Sequence, residues 1–465
     1  MAKFDNIITS TSTSSHLKCH PPVDSKCSSR KLGHSNCSLT GERPTLEKMR
    51  RSSQCAGDLI RHLVLSSVLS LALANPFTPR GDSSLRLNEA QFMGTHNSYH
   101  KEVNILGRPF FELLMPSPQD YFYSHASFPN QLDYQSVRSL EIDLYADYDE
   151  PGQFADPLIR RLGQYQPPTK EWSAQMKERG AKVFHIPDAD VESVCPTFKI
   201  CLTQLRDWSK SNPGHLPILI DLEFKTVDER IVVLGGPSGE QWNSTNLDFV
   251  DEEIRSILTD SQLITPDDVR LAAQEHAKKQ LTLEEAVLQY GWPSLDESRG
   301  KFLFYMDNDL DGSPNLRDPY RGESHKNLEG RVIFTNSVPG ESDAAFIKMN
   351  DPSGDKLDEI QKLVRKGYLI RTRSDEPIRS VLLPLERSRQ RLERALESGA
   401  QIVSTDWPVM GMASRYGTDY VAELPGRRLA RCNPVIKPEG CSDDDLLETT
   451  GIGPSKVARS MLVQH

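Results

Sequence analysis

Glu141 and Asp143 stand two apart in the run SLEIDLYAD, residues 139–147. On a strand that spacing turns both carboxylates to one side and Leu140, Ile142 and Leu144 to the other. Neighbouring carboxylates repel and lose hydration when buried, so a neutralising cation makes the arrangement tolerable. A second run, ILIDLEFK (218–225), adds Glu223, with Asp221 on the same face. Asn97, in QFMGTHNSYH (91–100), offers an amide oxygen as a fourth ligand. All-oxygen ligation suits a hard cation, and calcium fits the set best. The alternative is a salt-bridge network in which Arg or Lys neutralises Glu141 and Asp143.

Two histidines close strand-like runs nearby, His96 in the first and His185 in VFHIPD (183–188). Poised near their pKa, a pair placed on either side of a phosphorus acts as base and acid. His96 and Asn97 are consecutive, so both address one ligand only if the strand has ended there. Asp406, after the last apolar run, either orients His96 or caps the turn before Trp407 and Pro408. Lys225, Arg371 and Arg373 are candidates for holding a phosphate or sugar hydroxyls, with salt bridges as the alternative.

The elements that must position these groups are eight apolar runs: 92–95, 140–145, 182–186, 216–223, 302–306, 332–335, 368–372 and 402–405. Helix-like segments at 170–179, 197–210, 247–258, 283–289, 355–365 and 385–397 separate most of them. Such alternation argues for parallel β/α units. Eight strands predict a closed (β/α)8 TIM barrel, one catalytic domain, with its chemistry at the carboxyl ends of the strands. An open doubly wound sheet is the alternative, but no GxGxxG turn supports a nucleotide version. Residues 235–239 form only a Gly-rich loop, because no Lys-Ser/Thr pair follows.

With 465 residues and 37% hydrophobic content the chain can bury a large core. Its net charge is −10. Residues 1–80 hold 11 Lys/Arg against 5 Asp/Glu, leaving −16 on the remainder. An acidic body argues against nucleic acid and gives no polybasic route to an anionic membrane. Residues 1–48, rich in Ser and Thr, read as disorder or an upstream extension before a true start at Met49. Residues 49–74 then read as a signal peptide: Arg50 and Arg51, an apolar run over 63–73, and Ala72-Leu73-Ala74 before the cut. Secretion follows, the alternative being a short buried or membrane helix. Cys195, Cys201, Cys432 and Cys441 remain after cleavage, and proximity favours pairing within each couple. Asn243-Ser244-Thr245 is a glycosylation sequon. Residues 442–465 make an acidic, partly helical tail, whose Gly451-Ile452-Gly453 reads as a turn between two amphipathic pieces.

The motifs THNSYH, LEIDLYAD, VFHIPDADVESVC, GHLPILIDLEFK, GWPSLDESRGKFLFYMDN, RVIFTNSVPGESDAAFIKMNDP, GYLIRTRSD and QIVSTDWP lie between residues 85 and 441. Together they resemble the calcium-dependent, phosphatidylinositol-specific phospholipases C of bacteria and fungi, relatives of the X region of eukaryotic phospholipases C. The resemblance implies a distorted TIM barrel, His96 and His185 as catalytic histidines, and Asn97, Glu141, Asp143 and Glu223 as calcium ligands. It also implies attack of the inositol 2-hydroxyl on phosphorus, with phosphatidylinositol met at a membrane or micelle surface. A monomer is expected, and Phe110 to Met115 is the apolar candidate for contact with lipid, the alternative being a buried helix turn. Rival readings are a glycerophosphodiester phosphodiesterase, whose His-Arg-Gly opening is replaced here by Thr95-His96-Asn97-Ser98, and a secreted barrel without activity.

Overall fold

A computed structural model describes residues 85–310 and 315–448. Among these, β1 (Ala90–Thr95), β2 (Ser139–Tyr145), β3 (Ile218–Lys225), β4 (Phe302–Met306), β5 (Ile333–Phe334), β6 (Phe346–Lys348), β7 (Leu369–Arg373) and β8 (Ile402–Thr405) run parallel in the order β5-β4-β3-β2-β1-β8-β7-β6. The two ends of that order meet at an isolated parallel bridge between Asn336 and Phe346. The sheet is thus a nearly closed eight-stranded barrel with helices outside it, a distorted TIM barrel. A ninth strand, β9 (Ala430–Cys432), pairs antiparallel with β1.

Strand and helix periods explain the layering. Leu140, Ile142 and Leu144 of β2 join the main hydrophobic cluster, while Glu141 meets Arg371 of β7, a strand not adjacent to β2. Contact between non-neighbouring strands places both side chains inside the barrel. The helix Phe198–Ser211 starts where the Thr197 hydroxyl accepts from the Ile200 N–H. It buries Phe198, Cys201, Leu202, Leu205 and Trp208, the stripe that a 3.6-residue period predicts. Gly94 lies where β1 passes closest to β2; a Cβ there would stand 2.7 Å from the Ser139 Cβ.

One expected strand is absent from the barrel, and one strand was not expected. Residues 182–186 do not enter the barrel, because β2 and β3 pair directly over seven residue pairs and leave no slot between them. Lys182 makes only isolated antiparallel bridges to Tyr145 and Thr197, so the segment folds over the mouth as an irregular hairpin. The missing barrel position is filled by β6, three residues in a polar-flanked run, too short for periodicity to reveal.

Both disulfides join the cysteines that proximity favoured, Cys195 with Cys201 and Cys432 with Cys441. The second lies in the segment that returns beneath the barrel. There Glu448 Oε1 accepts from Arg138 Nε at 2.6 Å and from the Leu216 N–H at 2.9 Å, the residues that lead towards β2 and β3. Residues 1–84 and 449–465, with the expected extension, signal peptide and most of the tail, lie outside the described residues. Among those described, no helix is long and apolar enough to cross a membrane.

Candidate active site

β1 ends at Thr95, and the His96 N–H still donates to the Thr405 carbonyl of β8. Asn97 then adopts φ +46°, a left-handed conformation that Asn tolerates better than most residues. This turn meets the condition that adjacency imposed: the chain leaves the strand between His96 and Asn97, and both side chains remain at the barrel mouth.

His96 Nδ1 donates to Asp406 Oδ1 at 2.7 Å, and its Nε2 lies 3.4 Å from Glu141 Oε1. Asp406 is buried, with Arg373 donating to its other oxygen at 3.0 Å. Asp375 lies behind it, accepting from the Asp406 N–H at 2.9 Å. Burial first, and then Arg373, hold the His96 imidazole well below its ordinary value, so it is neutral at neutral pH.

His185 is held by a different carboxylate. The 186–190 turn carries the Asp190 carboxylate back to it, and Asp190 Oδ2 accepts from His185 Nδ1 at 3.1 Å and from His100 Nε2 at 2.8 Å. Burial would raise the Asp190 carboxyl, but the two imidazoles outweigh it and hold it at about 2. Both histidines therefore turn Nδ1 to a buried carboxylate and leave Nε2 for other partners. The Tyr145 hydroxyl donates to the His185 carbonyl at 2.9 Å, fixing the segment over the mouth.

Between strands β2 and β3 the register sets Glu141 beside Asp221 and Asp143 beside Glu223. Ligating oxygens of Glu141, Asp143 and Glu223 all lie within 4.8 Å of one another. Neither Asp143 oxygen receives a hydrogen bond of ordinary geometry among the described residues. Burial and the charges of Glu223 and Glu141 push the Asp143 carboxyl up, against Lys225. Asn97 is 2% exposed, and its Oδ1 accepts from Tyr99 OH at 3.3 Å. Under-bonded buried carboxylate oxygens with a neutral amide at hand fit a calcium ion.

The basic candidates separate. Lys225 Nζ lies 2.8 Å from Glu223 Oε2 and 3.3 Å from Asp143 Oδ2, within the oxygen cluster. Arg373 braces Asp406 at the mouth. Arg371 sits a layer lower, 1% exposed, with its guanidinium engaged by Glu141, Asp307, Asp221 and Asn350. Arg371 thus takes the salt-bridge role that stood as the alternative to a substrate contact, with its guanidinium enclosed by these acceptors. Sequence reasoning missed Asp190 and His100; Asp190 lay in the motif VFHIPDADVESVC, five residues after His185, and that short separation was the available signal.

A parallel barrel that gathers two carboxylate-backed imidazoles and a calcium-suited oxygen cluster at its mouth defines a metal-assisted phosphodiester-cleaving enzyme. The family model of Ca2+-dependent phosphoinositide phospholipase C matches residues 85–434, and the chain belongs to that family. The protein is a calcium-dependent phospholipase C acting on phosphoinositides. No curated protein matches the sequence. Among solved structures it is similar to a calcium-dependent phosphoinositol-specific phospholipase C from Pseudomonas sp., with 17% identity over 77% of this chain and 98% of that one and a TM-score of 0.44. A Ca2+-dependent phosphatidylinositol-specific phospholipase C from Streptomyces antibioticus gives 18% identity over 72% and 98%, with a TM-score of 0.43. The phosphatidylinositol-specific enzyme from Listeria monocytogenes gives 11% over 72% and 95%, at 0.38.

Proposed function

We propose that the enzyme cleaves phosphatidylinositol by attack of the inositol 2-hydroxyl on the adjacent phosphorus, releasing diacylglycerol and inositol 1,2-cyclic phosphate. The observation that carries this reading is the pairing of His96 with Asp406 and His185 with Asp190 at one mouth. An intramolecular nucleophile is already at high effective concentration, so the protein need only move protons and stabilise charge. Neutral His96 accepts the hydroxyl proton at Nε2, while Asp406 stabilises the imidazolium that forms. Glu141, 3.4 Å from the same nitrogen, is the competing base. His185 delivers a proton from Nε2 to the departing diacylglycerol oxygen in its imidazolium form, which burial disfavours and the ionised Asp190 carboxylate at Nδ1 supports. Glu141, Asp143, Glu223 and the Asn97 amide would hold calcium, which when bound would supply electrophilic charge to the reaction. Arg373 keeps Asp406 ionised and offers a free edge to the phosphodiester.

Contact with a lipid surface is supported by apolar side chains that follow the carboxyl ends of four strands. Leu113 is 84% and Val233 85% exposed, with Ile105, Leu382 and Met410 also outward. In the segment expected to make that contact Phe111 is buried and Phe110 half-buried, so the helix Arg108–Leu114 presents Leu113 rather than its two phenylalanines. Export of the chain as a glycoprotein is supported by the two disulfides and by the exposed Asn243.

The test is release of water-soluble inositol phosphate from phosphatidylinositol vesicles, with calcium or a chelator, by wild type and His96→Ala. Calcium-dependent release of the cyclic phosphate, lost in the variant, is expected. A linear phosphate as the first product would refute the intramolecular attack, and no release by folded protein would refute the reading altogether.

A further inference from the structure

The cluster read as the calcium site contains a cation of its own. Lys225 ends β3, two residues after Glu223 and on the same face, and its side chain reaches back so that Nζ touches Glu223 Oε2 and Asp143 Oδ2 at 2.8 and 3.3 Å. These are two of the three carboxylates whose oxygens converge within 4.8 Å. Arg371 and Lys225 neutralise the same group of acids in opposite ways. Arg371 is enclosed and clamped by acceptors from several strands, so it is a fixed charge. The Lys225 side chain is 23% exposed and ends a flexible four-carbon stem at the mouth, so its ammonium can leave without unpacking the core. A divalent ion on these oxygens would lie close to the ammonium, and like charges at that separation repel.

We infer that Lys225 is an exchangeable countercharge of the calcium site: it holds Asp143 and Glu223 together in metal-free protein and withdraws when calcium binds, presenting its ammonium to an anion at the mouth. The inference rests on the calcium-site reading above and adds a coupling to it. If calcium frees the ammonium and the ammonium meets a phosphate, each ligand tightens the other by the same factor.

Calorimetric titration of calcium into wild type, Lys225→Met and Lys225→Arg, with and without saturating myo-inositol 1-phosphate, tests this without reference to turnover. Lys225→Met is expected to bind calcium at least tenfold more tightly than wild type, and to melt at lower temperature in chelator. Lys225→Arg keeps a cation among the oxygens and is expected to stay near wild type. Inositol phosphate is expected to tighten calcium binding severalfold in wild type and not in Lys225→Met. Equal or weaker calcium binding by Lys225→Met, with wild type binding normally, overturns the inference while leaving the calcium site intact. Absence of calcium binding by all the proteins overturns both. Should Lys225→Met not fold, Lys225→Gln carries the same comparison. Normal binding effects with no lipid cleavage would refute the catalytic reading alone.

Discussion

His125 is buried behind the catalytic turn, its Nε2 donating to the His96 carbonyl at 2.9 Å. Burial above all lowers its pKa to about 4. A base whose folded pKa lies below its unfolded value lends stability that is complete above the unfolded pKa, near 6.5, and is lost as pH falls through the folded one. Between pH 6.5 and 4 wild type should therefore lose roughly 3 kcal/mol more than His125→Gln, which keeps a donor for the carbonyl but does not titrate. Urea unfolding of both proteins across that range measures the difference, and parallel curves would contradict it. At this scale the sequence was informative where a residue's type restricts its chemistry. Glu141, Asp143 and Glu223 converge because strand alternation and parallel register leave them no other arrangement. The partnership of Asp190 with His185 had only their short separation to signal it, since it depends on a turn through Asp188 in the left-handed conformation, φ +63°, and His100 joins it from a distant stretch of chain. Arg371 and Arg373 were indistinguishable in sequence; depth along β7 alone makes one a buried counterion and the other a neighbour of His96.

Elements were legible in proportion to their length and period. The helix Leu385–Glu397 begins and ends as its pattern predicts, with Leu392, Ala395 and Leu396 turned inward. β6, with three residues, has no period to read, and the run 182–186 has strand composition but no free strand edge to join. The segment below the barrel carries a separate prediction. Arg138 is 2% exposed, and its guanidinium is satisfied by Glu448 and by the carbonyls of Leu132 and Val137. Glu448→Ala leaves that charge buried without its carboxylate and takes the partner from the Leu216 N–H. A loss of about 3 kcal/mol is expected in chemical denaturation, with calcium affinity unchanged because the site lies at the opposite end of the strands. A double variant, Arg138→Met with Glu448→Leu, should recover part of it.

For the whole molecule, exposed Leu113, Val233 and Met410 on one end of an otherwise acidic body define a face rather than scattered residues. Replacing Leu113 and Val233 together by Ser should lower vesicle binding about tenfold, from the loss of roughly 1.4 kcal/mol of apolar burial. Turnover of a monomeric short-chain phosphatidylinositol should change less than twofold. Co-sedimentation with vesicles and the soluble assay separate the two, and an equal fall in both would show that the side chains support the fold instead. The pairing of β1 with β8 and β9 also sets a timetable for synthesis. The partners of Phe92 are Ile402 and Ala430, more than three hundred residues downstream. A ribosome therefore completes nearly the whole barrel sequence before the Phe92 stretch of the first strand can be flanked on either edge. Until then the apolar residues of β1 lack the neighbours that bury them, and the strand contributes to the core only late in synthesis.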